Sequence, residues 1–328
     1  MYKVSLIVPI YNTEKYIGRC IDSIFPQSID KLQVIFLDDG SKDNSLSILK
    51  DKVSNYQKSI SDSWDIVIVS RENKGVSETR QEALALATGE YIAFLDSDDY
   101  TSSSNWLEDV YTVAKGGGLD LVISDYTIEY PDRLERMSEK KSDSNLDCIK
   151  YLLLDEVKGY CWNKLYRREI IENNEINFPN EINFLEDFIF NIQFLLSAKK
   201  IVFIKGDYVV YNQCNVSSIT KKIDQSKIVE VKKAAEEISK NLKNNGVYKY
   251  CEEGFLKFKL SQKTTLIYSS LNTSPREALS LFPETNEVLF KGNISSHFKI
   301  AIFLFNNFGV NMSILFLKIV EFFKSIIK

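Results

Sequence analysis

Histidine is almost absent from this sequence, whose 328 residues contain only His297. Ser-His-Asp triads, Cys-His proteases, and zinc or iron sites built on imidazole ligands all need histidine as a base or a ligand. The sequence therefore excludes these classes of active site. Any acid-base chemistry has to use carboxylates, lysine, tyrosine or cysteine.

Glycine, proline and closely spaced cysteines are scarce as well. The 13 glycines and six prolines exclude a collagen-like or linker-dominated chain. No CxxC pair supports a zinc knuckle or a redox site, so we predict reduced cysteines in a cytoplasmic protein. The five cysteines are Cys20, Cys148, Cys161, Cys214 and Cys251.

Long hydrophobic runs are missing too. Toward the C-terminus the longest unbroken apolar run covers residues 300–305, whereas about 20 residues are needed to cross a bilayer. The apolar run within residues 1–12 is too short for a signal peptide. We therefore expect no segment that crosses a membrane.

Charge is unevenly distributed along a chain of otherwise ordinary composition. Apolar residues make up 44% and charged residues 26% of the sequence, the balance of a folded globular protein. Residues 1–220 carry 24 basic and 35 acidic side chains, whereas residues 221–328 carry 17 and 10. The acidic part argues against a nucleic-acid partner. The basic part is compatible with an anionic membrane surface.

The first hundred residues alternate between strand and helix patterns. Helical patterns at 14–25, 44–58 and 76–88 separate the strands, and the alternation predicts a doubly wound, mostly parallel α/β sheet. In such sheets ligands bind beyond the carboxyl ends of the strands. Short apolar runs rich in Val, Ile and Phe, typical of buried parallel strands, lie at 4–10, 32–39, 66–70 and 91–96.

The pattern changes near residue 220. Beyond it the chain is helical, with amphipathic stretches at 224–244 and 249–271 and a further helix opened by Ser274 and Pro275. We therefore predict a catalytic domain at 1–220 and a helical C-terminal region at 221–328. Within 1–220 we also predict a turn at 116–118, a strand at 119–124, a polar loop at 126–147, a helix at 185–198 and a strand at 201–211.

Polar side chains follow the predicted strands. Asp96 and Asp98 follow the fourth strand and could hold a hard divalent cation, although such acids are also common in turns and caps. Asp39, after the second strand, could accept from a base N–H or a ribose hydroxyl, or could simply precede a turn. Arg80, on the helix after the third strand, could neutralise a pyrophosphate or pair with nearby acids. No GxGxxG follows the first strand, which argues against a dehydrogenase-like dinucleotide fold.

Taken in order, these motifs resemble one family. The chain contains VSLIVPIYNTEKYIGRC, then VIFLDDGSKDNS, then NKGVSETRQEALALATGEYIAFLDSDD. Their order and spacing resemble the family-2 glycosyltransferases of the GT-A fold. Weaker resemblances continue to about residue 220, in CWNKLYRRE, FPNEINFLEDFIFN and YVVYNQCNVSSIT.

The resemblance implies a binding site for a UDP-sugar donor. Pro9 and Tyr11 would line the base, with Tyr11 near its face. Asp39 and Asn73 would form hydrogen bonds with the uracil. Arg80 would stabilise this base-binding side.

The resemblance also implies a metal site and a catalytic base. Asp98 would be the main ligand of Mn²⁺ or Mg²⁺ on the diphosphate, and Asp96 would contact the ribose or the metal. Asp187 would be the base, with Glu186 orienting or tuning it. Both acids could equally be ordinary residues of a first helical turn, where the helix dipole favours them.

The later motifs imply an acceptor side and contain two departures from the family pattern. The acceptor-side wall would include Trp162 and Lys164. Gln81 follows Arg80 where the family often has Asn, and Asn212 stands where the family has Arg. The second departure removes a cation that could help to hold the diphosphate.

We therefore expect an inverting, metal-dependent enzyme that moves one sugar from a UDP-sugar to a carbohydrate or lipid-linked glycan. A carboxylate base suits a chain with a single histidine, and a divalent cation would stabilise the diphosphate leaving group. The family's common setting implies bacterial cell-surface polysaccharide synthesis, in the cytoplasm or on the inner face of the cell membrane. The motifs specify neither the sugar nor an oligomeric state.

Two other functions stay open from the residues alone. A sugar nucleotidyltransferase also uses an α/β sheet and acidic metal ligands, but it normally has a glycine-rich loop after its first strand. The first glycine here is Gly18, which lies well beyond that position. A non-catalytic sugar-nucleotide-binding module would have no need of both the DxD and the Glu-Asp pair.

Residues 311–328 form an amphipathic pattern. The segment 288–328 carries five lysines and one glutamate, a mixture typical of a helix that lies on a membrane surface. Packing of the apolar stripe on the catalytic domain explains the pattern equally well. The polar positions are Asn311, Lys318, Glu321, Ser325 and Lys328, opposite Met312, Leu315, Phe316, Ile319, Phe323 and Ile326.

Overall fold

The computed structural model describes residues 1–56, 62–215, 225–271 and 275–327. The chain divides into two compact units. Unit 1 comprises Met1–Ile149 and Glu156–Val216, and unit 2 comprises Lys150–Asp155 and Ser217–Lys328. The predicted domain boundary at residue 220 lies outside the described residues.

Unit 1 is built on a seven-stranded sheet. Its strands are β1 (Val4–Ile10), β2 (Leu32–Asp38), β3 (Asp65–Ser70), β4 (Tyr91–Phe94), β6 (Leu121–Ser124), β9 (Lys164–Arg167) and β10 (Ile201–Ile204). Their spatial order is β10-β6-β9-β4-β1-β2-β3, and β9 alone runs antiparallel to its neighbours β4 and β6. Leu6 in β1 lies opposite Val34 in β2 and Ala93 in β4. The predicted mostly parallel α/β sheet is confirmed.

Apolar strand residues are buried on both faces of this sheet, as parallel strands covered by helices require. On one face, Leu6 and Val8 of β1 belong to a core that also contains residues of the helices α1 (Ile17–Ile24) and α4 (Trp106–Gly117). On the other face, Phe94 meets the rings of Phe178 and Phe190 edge-on. The helices of unit 1 are α1 (Ile17–Ile24), α2 (Ser45–Tyr56), α3 (Val76–Ala85), α4 (Trp106–Gly117), α6 (Arg168–Asn173) and α7 (Glu186–Ser197). Helix α5 (Asn145–Leu153) begins in unit 1 and ends among residues of unit 2.

A second, four-stranded sheet corrects two predictions. It consists of β5 (Tyr100–Thr101), β7 (Tyr126–Glu129), β8 (Leu134–Met137) and β11 (Val209–Asn212), in the order β5-β11-β7-β8. The predicted loop at 126–147 therefore contains two strands, which pair through backbone bonds although most of β8 is exposed and lacks an apolar face. The predicted strand at 201–211 is two strands in different sheets, because the chain leaves the first sheet near Gly206.

The glycines at 116–118 are a helix end rather than a plain turn. Gly116 and Gly117 belong to the last turn of α4, and Gly118 follows with φ 55°, in the left-handed region that glycine adopts readily. Its N–H bonds to the carbonyl of Lys115, which satisfies an acceptor at the helix end.

Unit 2 is helical in the part that the structure describes. Helices α8 (Gln225–Asn244) and α9 (Tyr248–Ser270) bury apolar residues such as Ile238 and Phe255, as amphipathic helices do. None of the described helices is both long and apolar enough to cross a membrane. The helices are α8 (Gln225–Asn244), α9 (Tyr248–Ser270), α10 (Pro275–Ser280), α11 (Ser296–Phe308) and α12 (Val310–Ile327), with a 3₁₀-helix at Pro283–Val288.

Candidate active site

The ends of β2 and β3 are joined through Asp39. Its carboxylate accepts hydrogen bonds from the backbone N–H groups of Lys74 (2.8 Å) and Gly75 (3.0 Å) and from Asn73 Nδ2 (3.1 Å), and it pairs with Arg71. The predicted neighbours Asp39 and Asn73 are therefore in direct contact. Asp39 is buried, and in this structure its oxygens hold the 73–75 loop.

Two other predicted base-binding residues differ in accessibility. Tyr11 follows β1 and is exposed, so its ring is free to meet a planar ligand. Pro9 is buried within β1, opposite Leu37 of β2, and presents little surface. Because proline has no backbone N–H, the N–H donors that pair β1 with β2 and β4 belong to the other residues of the strand.

Arg80 lies among three carboxylates rather than on the base-binding side where the resemblance put it. It projects from α3, is only 4% exposed, and its Nη2 lies 2.8 Å from Asp96 Oδ1. Its Nη1 lies 2.5 Å from Glu186 Oε1 and 2.6 Å from Asp187 Oδ1. Arg80 thus connects the DxD motif after β4 to the acidic start of α7, across 106 residues of sequence.

Of the two acids at the start of α7, Glu186 is buried and Asp187 is half-buried. Burial, together with the charge of Asp187, raises the pKa of Glu186 to about 8 against the pull of Arg80. Burial also raises the pKa of Asp187, although Arg80 opposes the shift. Both carboxyl groups are therefore more basic than a carboxylate in water.

The two oxygens of Asp187 have different surroundings. Oδ2 accepts a hydrogen bond from the backbone N–H of Cys161 (3.3 Å). Oδ1 is buried and accepts no hydrogen bond, since its 2.6 Å approach to Arg80 Nη1 lacks the alignment of one. Oδ1 is thus a buried oxygen whose charged neighbour is the Arg80 guanidinium.

The DxD turn is held by two asparagines that the sequence did not identify as functional. Asn215 Nδ2 donates to Asp98 Oδ2 (2.8 Å), and Asn212 Nδ2 donates to the Asp98 carbonyl (3.1 Å). The backbone N–H of Asn212 donates to Asp99 Oδ1 (2.8 Å), whereas Asp99 Oδ2 is buried without a hydrogen bond. Asn212 is the position that departs from the family's Arg, and that departure was the one available sequence indication.

The acidic turn fits a hard divalent cation as part of its coordination sphere. Burial, and then the charge of Asp96, raise the pKa of Asp98, so a cation would relieve an existing repulsion. Carboxylate oxygens are the ligands that Mg²⁺ and Mn²⁺ prefer. Among the described residues no three His, Cys, Asp or Glu side chains are grouped to hold a metal by themselves. Diphosphate oxygens or water would have to complete the ligand set.

Trp162 and Lys164 do not form an exposed acceptor wall. Trp162 is 1% exposed and stacks on Tyr160, with ring centroids 4.9 Å apart. Lys164 is 3% exposed, and its ammonium binds acceptors inside the protein. Of the two stacked rings, Tyr160 is half-buried and therefore lies nearer to the surface than Trp162. Both predicted residues therefore lie beneath the surface.

Relatives of known sequence match most of unit 1. The model of Glycosyl transferase family 2 matches residues 5–174. The putative glycosyltransferase EpsH of Bacillus subtilis is 36% identical over 183 residues, which are 54% of this chain and 50% of EpsH. The cholesterol galactosyltransferase of Borreliella burgdorferi is 30% identical over 271 residues, which are 78% of this chain and 72% of that protein. The chain thus spans about half the length of EpsH and more of the second relative.

Solved structures match the fold over nearly the whole chain. Residues 1–349 of TarS from S. aureus, in complex with UDP-GlcNAc, align with a TM-score of 0.63 at 18% identity, covering 96% of this chain and 90% of that one. The mannosyltransferase PcManGT of Pyrobaculum calidifontis, in complex with GDP-Man and Mn²⁺, aligns with a TM-score of 0.53 at 15% identity, covering 96% and 85%. Together with the sheet order and the family match, these likenesses show that the chain belongs to glycosyl transferase family 2 and has the GT-A fold.

Proposed function

We propose that this chain transfers one sugar from a UDP-sugar to an acceptor hydroxyl, with inversion at the anomeric carbon and with a divalent cation on the diphosphate. Membership of glycosyl transferase family 2 supports the reaction class. The observation that carries the mechanism is the environment of Asp187. Burial raises the pKa of its carboxyl, and Arg80 joins it to Asp96 of the DxD motif.

In this proposal Asp187 is the general base. An acceptor hydroxyl loses its proton as its oxygen attacks the anomeric carbon, and the Asp187 carboxylate takes that proton. Cys161 N–H donates to Oδ2 and Arg80 Nη1 lies 2.6 Å from Oδ1, so both oxygens of the carboxylate are held in position. Glu186 and Arg80 hold Asp187 in place, since Arg80 pairs with both acids.

The donor side of the proposal uses the residues after β1 to β4. Tyr11 lies against the base, and Asp39 with Asn73 shapes the uracil site through the 73–75 loop. Asp96 and Asp98 would hold the cation. When bound, that cation neutralises charge that develops on the diphosphate leaving group.

Relatives indicate the classes of donor and acceptor. TarS was crystallised with UDP-GlcNAc, and TarP of Staphylococcus aureus, 28% identical over 215 residues, is named a poly(ribitol-phosphate) β-N-acetylglucosaminyltransferase. We accordingly propose a hexosyl- or N-acetylhexosaminyltransferase that acts on a carbohydrate or lipid-linked glycan during bacterial surface polysaccharide synthesis. No role in nucleic-acid binding is proposed.

We also propose that α12 places the enzyme on the inner face of the cell membrane. Met312, Leu315, Ile319 and Phe323 recur at helical spacing and are all exposed, Leu315 by 55%. Such a stripe beside Lys318 is typical of a helix that lies in a membrane interface. The side chains of Ser325 and Ile326, and the whole of Lys328, lie outside the described residues.

The variant Asp187→Asn tests the base directly. It keeps the size and shape of the side chain but removes the proton acceptor, so turnover should fall by roughly 10²–10⁴-fold. The affinity for UDP with Mn²⁺ should be almost unchanged, because the base contacts the acceptor. Turnover of candidate UDP-sugars and UDP binding by calorimetry are the two measurements.

Glu186→Gln is the matched control, and it should cost less activity than Asp187→Asn. If Asp187 were only a residue of the first helical turn, the Asn variant would lose about 1 kcal/mol of stability or less and keep its turnover. Wild-type protein that binds UDP-sugars but neither transfers nor hydrolyses them would instead be a binding module. The anomeric configuration of the product, measured by NMR, checks inversion.

A further inference from the structure

A buried lysine organises the loop that contacts Asp187. Lys164 lies at the start of β9, and its Nζ is 2.8 Å from the Lys158 carbonyl, 2.6 Å from the Tyr160 carbonyl and 2.8 Å from Asn163 Oδ1. An ammonium group has three N–H donors. All three therefore have an acceptor in or beside the 158–163 loop, which compensates the cost of burying the charge.

A buried glutamate fixes the same loop from its other side. Glu139 Oε2 accepts from the backbone N–H of Lys158 (3.0 Å), and Glu139 Oε1 accepts from Asn163 Nδ2 (2.9 Å). Lys158 thus gives its N–H to Glu139 and its carbonyl to Lys164. Opposite charges hold both ends of the loop, so its backbone has little freedom to shift.

The loop is joined to α7 at the catalytic end. Cys161 N–H donates to Asp187 Oδ2, and Asn191 Nδ2 donates to the carbonyls of Gly159 (3.0 Å) and Asp187 (2.8 Å). Tyr166 donates its hydroxyl to Asn191 Oδ1 (2.9 Å), which orients that amide. A displacement of the loop would therefore change the position of Asp187 or remove its N–H donor.

We propose that Lys164 is a positioning residue, which holds the 158–163 loop so that Cys161 N–H donates to Asp187 Oδ2 and keeps that carboxylate in the position from which it takes the acceptor proton. This inference rests on the proposed role of Asp187 as the base. Lys164 itself contacts no substrate, because its ammonium is enclosed by loop carbonyls. Because Lys164 is buried, its place after Trp162 and Asn163 in the motif does not require it to bind the acceptor.

The variants Lys164→Gln and Lys164→Met test the proposal. Both remove the charge, but glutamine keeps two N–H donors and methionine keeps none. Misplacement of a reacting group by about 1 Å can cost about 10²-fold in rate, so kcat should fall by about 10- to 10²-fold in Lys164→Met and by less in Lys164→Gln. The donor KM and the Kd for UDP with Mn²⁺ should stay within about twofold, since the loop contacts the base and not the donor motifs.

A second buried lysine provides the matched control. Lys263 in α9 is 1% exposed and belongs to unit 2. Lys263→Gln should lower the melting temperature by a similar amount and leave kcat unchanged. If Lys164 had only a general structural role, Lys164→Gln and Lys263→Gln should both lower the melting temperature and leave kcat unchanged.

The outcomes separate this inference from the proposed function. A folded Lys164→Gln enzyme with wild-type kcat, or with kcat and UDP affinity lost together, overturns the positioning role. An active Asp187→Asn enzyme overturns the base itself, whatever Lys164 does. If Lys164→Met does not fold, the ratio of kcat between Lys164→Gln and wild type decides the question.

Discussion

Two regions of the molecule depart from the usual distribution of side chains in opposite ways. In unit 1, the cluster of Arg80, Asp96, Glu186 and Asp187 places one cation and three acids in or near the protein interior. In unit 2, α12 does the reverse and exposes a row of large apolar side chains, while Ser313 and Leu317 are buried. Buried charges and exposed apolar surface are the informative exceptions to ordinary burial.

The comparison shows that buried charges and exposed apolar side chains are stabilised by different kinds of partner. The charges of unit 1 are compensated within the protein, by ion pairs and by backbone N–H groups. The apolar row of α12 is exposed to solvent, so it is suited to a surface outside the chain. The following predictions test these two regions against each other.

The largest effect is expected from Asp98→Ala. Cation stabilisation of a leaving group is worth several kcal/mol, so transfer should fall by about 10³-fold or more, and UDP should bind more weakly in Mn²⁺. Activity and UDP affinity, each with and without Mn²⁺, are the measurements. Full wild-type activity in excess EDTA would contradict the prediction.

Removal of the central cation should destabilise the acidic cluster. Arg80→Met leaves Glu186 and Asp187 close together without their shared partner, a change that typically costs about 3–5 kcal/mol in a buried site. Arg133→Met is the control, because Arg133 pairs with Asp132 and Glu135 on the surface, where such pairs are worth about 1 kcal/mol or less. Urea unfolding of both variants measures the contrast, and equal losses would mean that the Arg80 cluster behaves like a surface pair.

Exchange of the exposed apolar row should abolish membrane binding without loss of stability. The double variant Leu315→Ser, Ile319→Ser should no longer sediment with anionic vesicles, and Lys318→Gln should weaken binding by about 1 kcal/mol. Tyr268→Ser, which removes an exposed ring from α9, should leave binding unchanged. Equal binding of wild type to neutral and anionic vesicles, or binding to neither, would remove the membrane proposal.

The last expected effect is a pH dependence of stability. Because the pKa of Glu186 rises from 4.5 to about 8 on folding, the folded protein retains a proton that the unfolded chain releases. This contribution is present below about pH 4.5 and is lost as the pH rises toward 8. Urea midpoints of Glu186→Gln, measured in EDTA, should therefore decline less than those of wild type over that range.

Glu82→Gln is the control of opposite sign. Hydrogen bonds from Lys74 and then Arg71 lower the pKa of Glu82, so its contribution is present at neutral pH and lost only as the solution becomes acidic. A Glu186→Gln variant with the full wild-type slope between pH 4.5 and 8 would show that another group titrates there.

Much of the fold was predictable because its determinants are local. The parallel strands β1 and β2 are mostly apolar, and a sequence shows such segments directly. The polar strand β8 was missed for the same reason, since most of its side chains are exposed and only its pairing with β7 makes it a strand. The motifs that identify the family likewise lie in short stretches at strand ends.

The composition of the site was readable from the sequence, whereas its contacts were not. Asp96, Asp98, Glu186 and Asp187 could each be selected from a motif. That Arg80 joins the DxD motif to the start of α7 could not, because these residues are distant along the chain and meet only when β4, α3 and α7 pack together. The N–H of Cys161 carries no sequence pattern at all, since every residue except proline has one.

The sequence alone determined the parallel α/β sheet, the acidic motifs and the absence of histidine from the sites that commonly use it. The tertiary structure decided which groups contact each acid oxygen, which lysine is buried and which apolar row stays exposed. The reason is that a side chain's type is a local property, whereas its pKa, its partners and its exposure depend on groups brought together from distant parts of the chain. Lys164 shows this most clearly: its motif implied an acceptor wall, and packing made it an internal anchor.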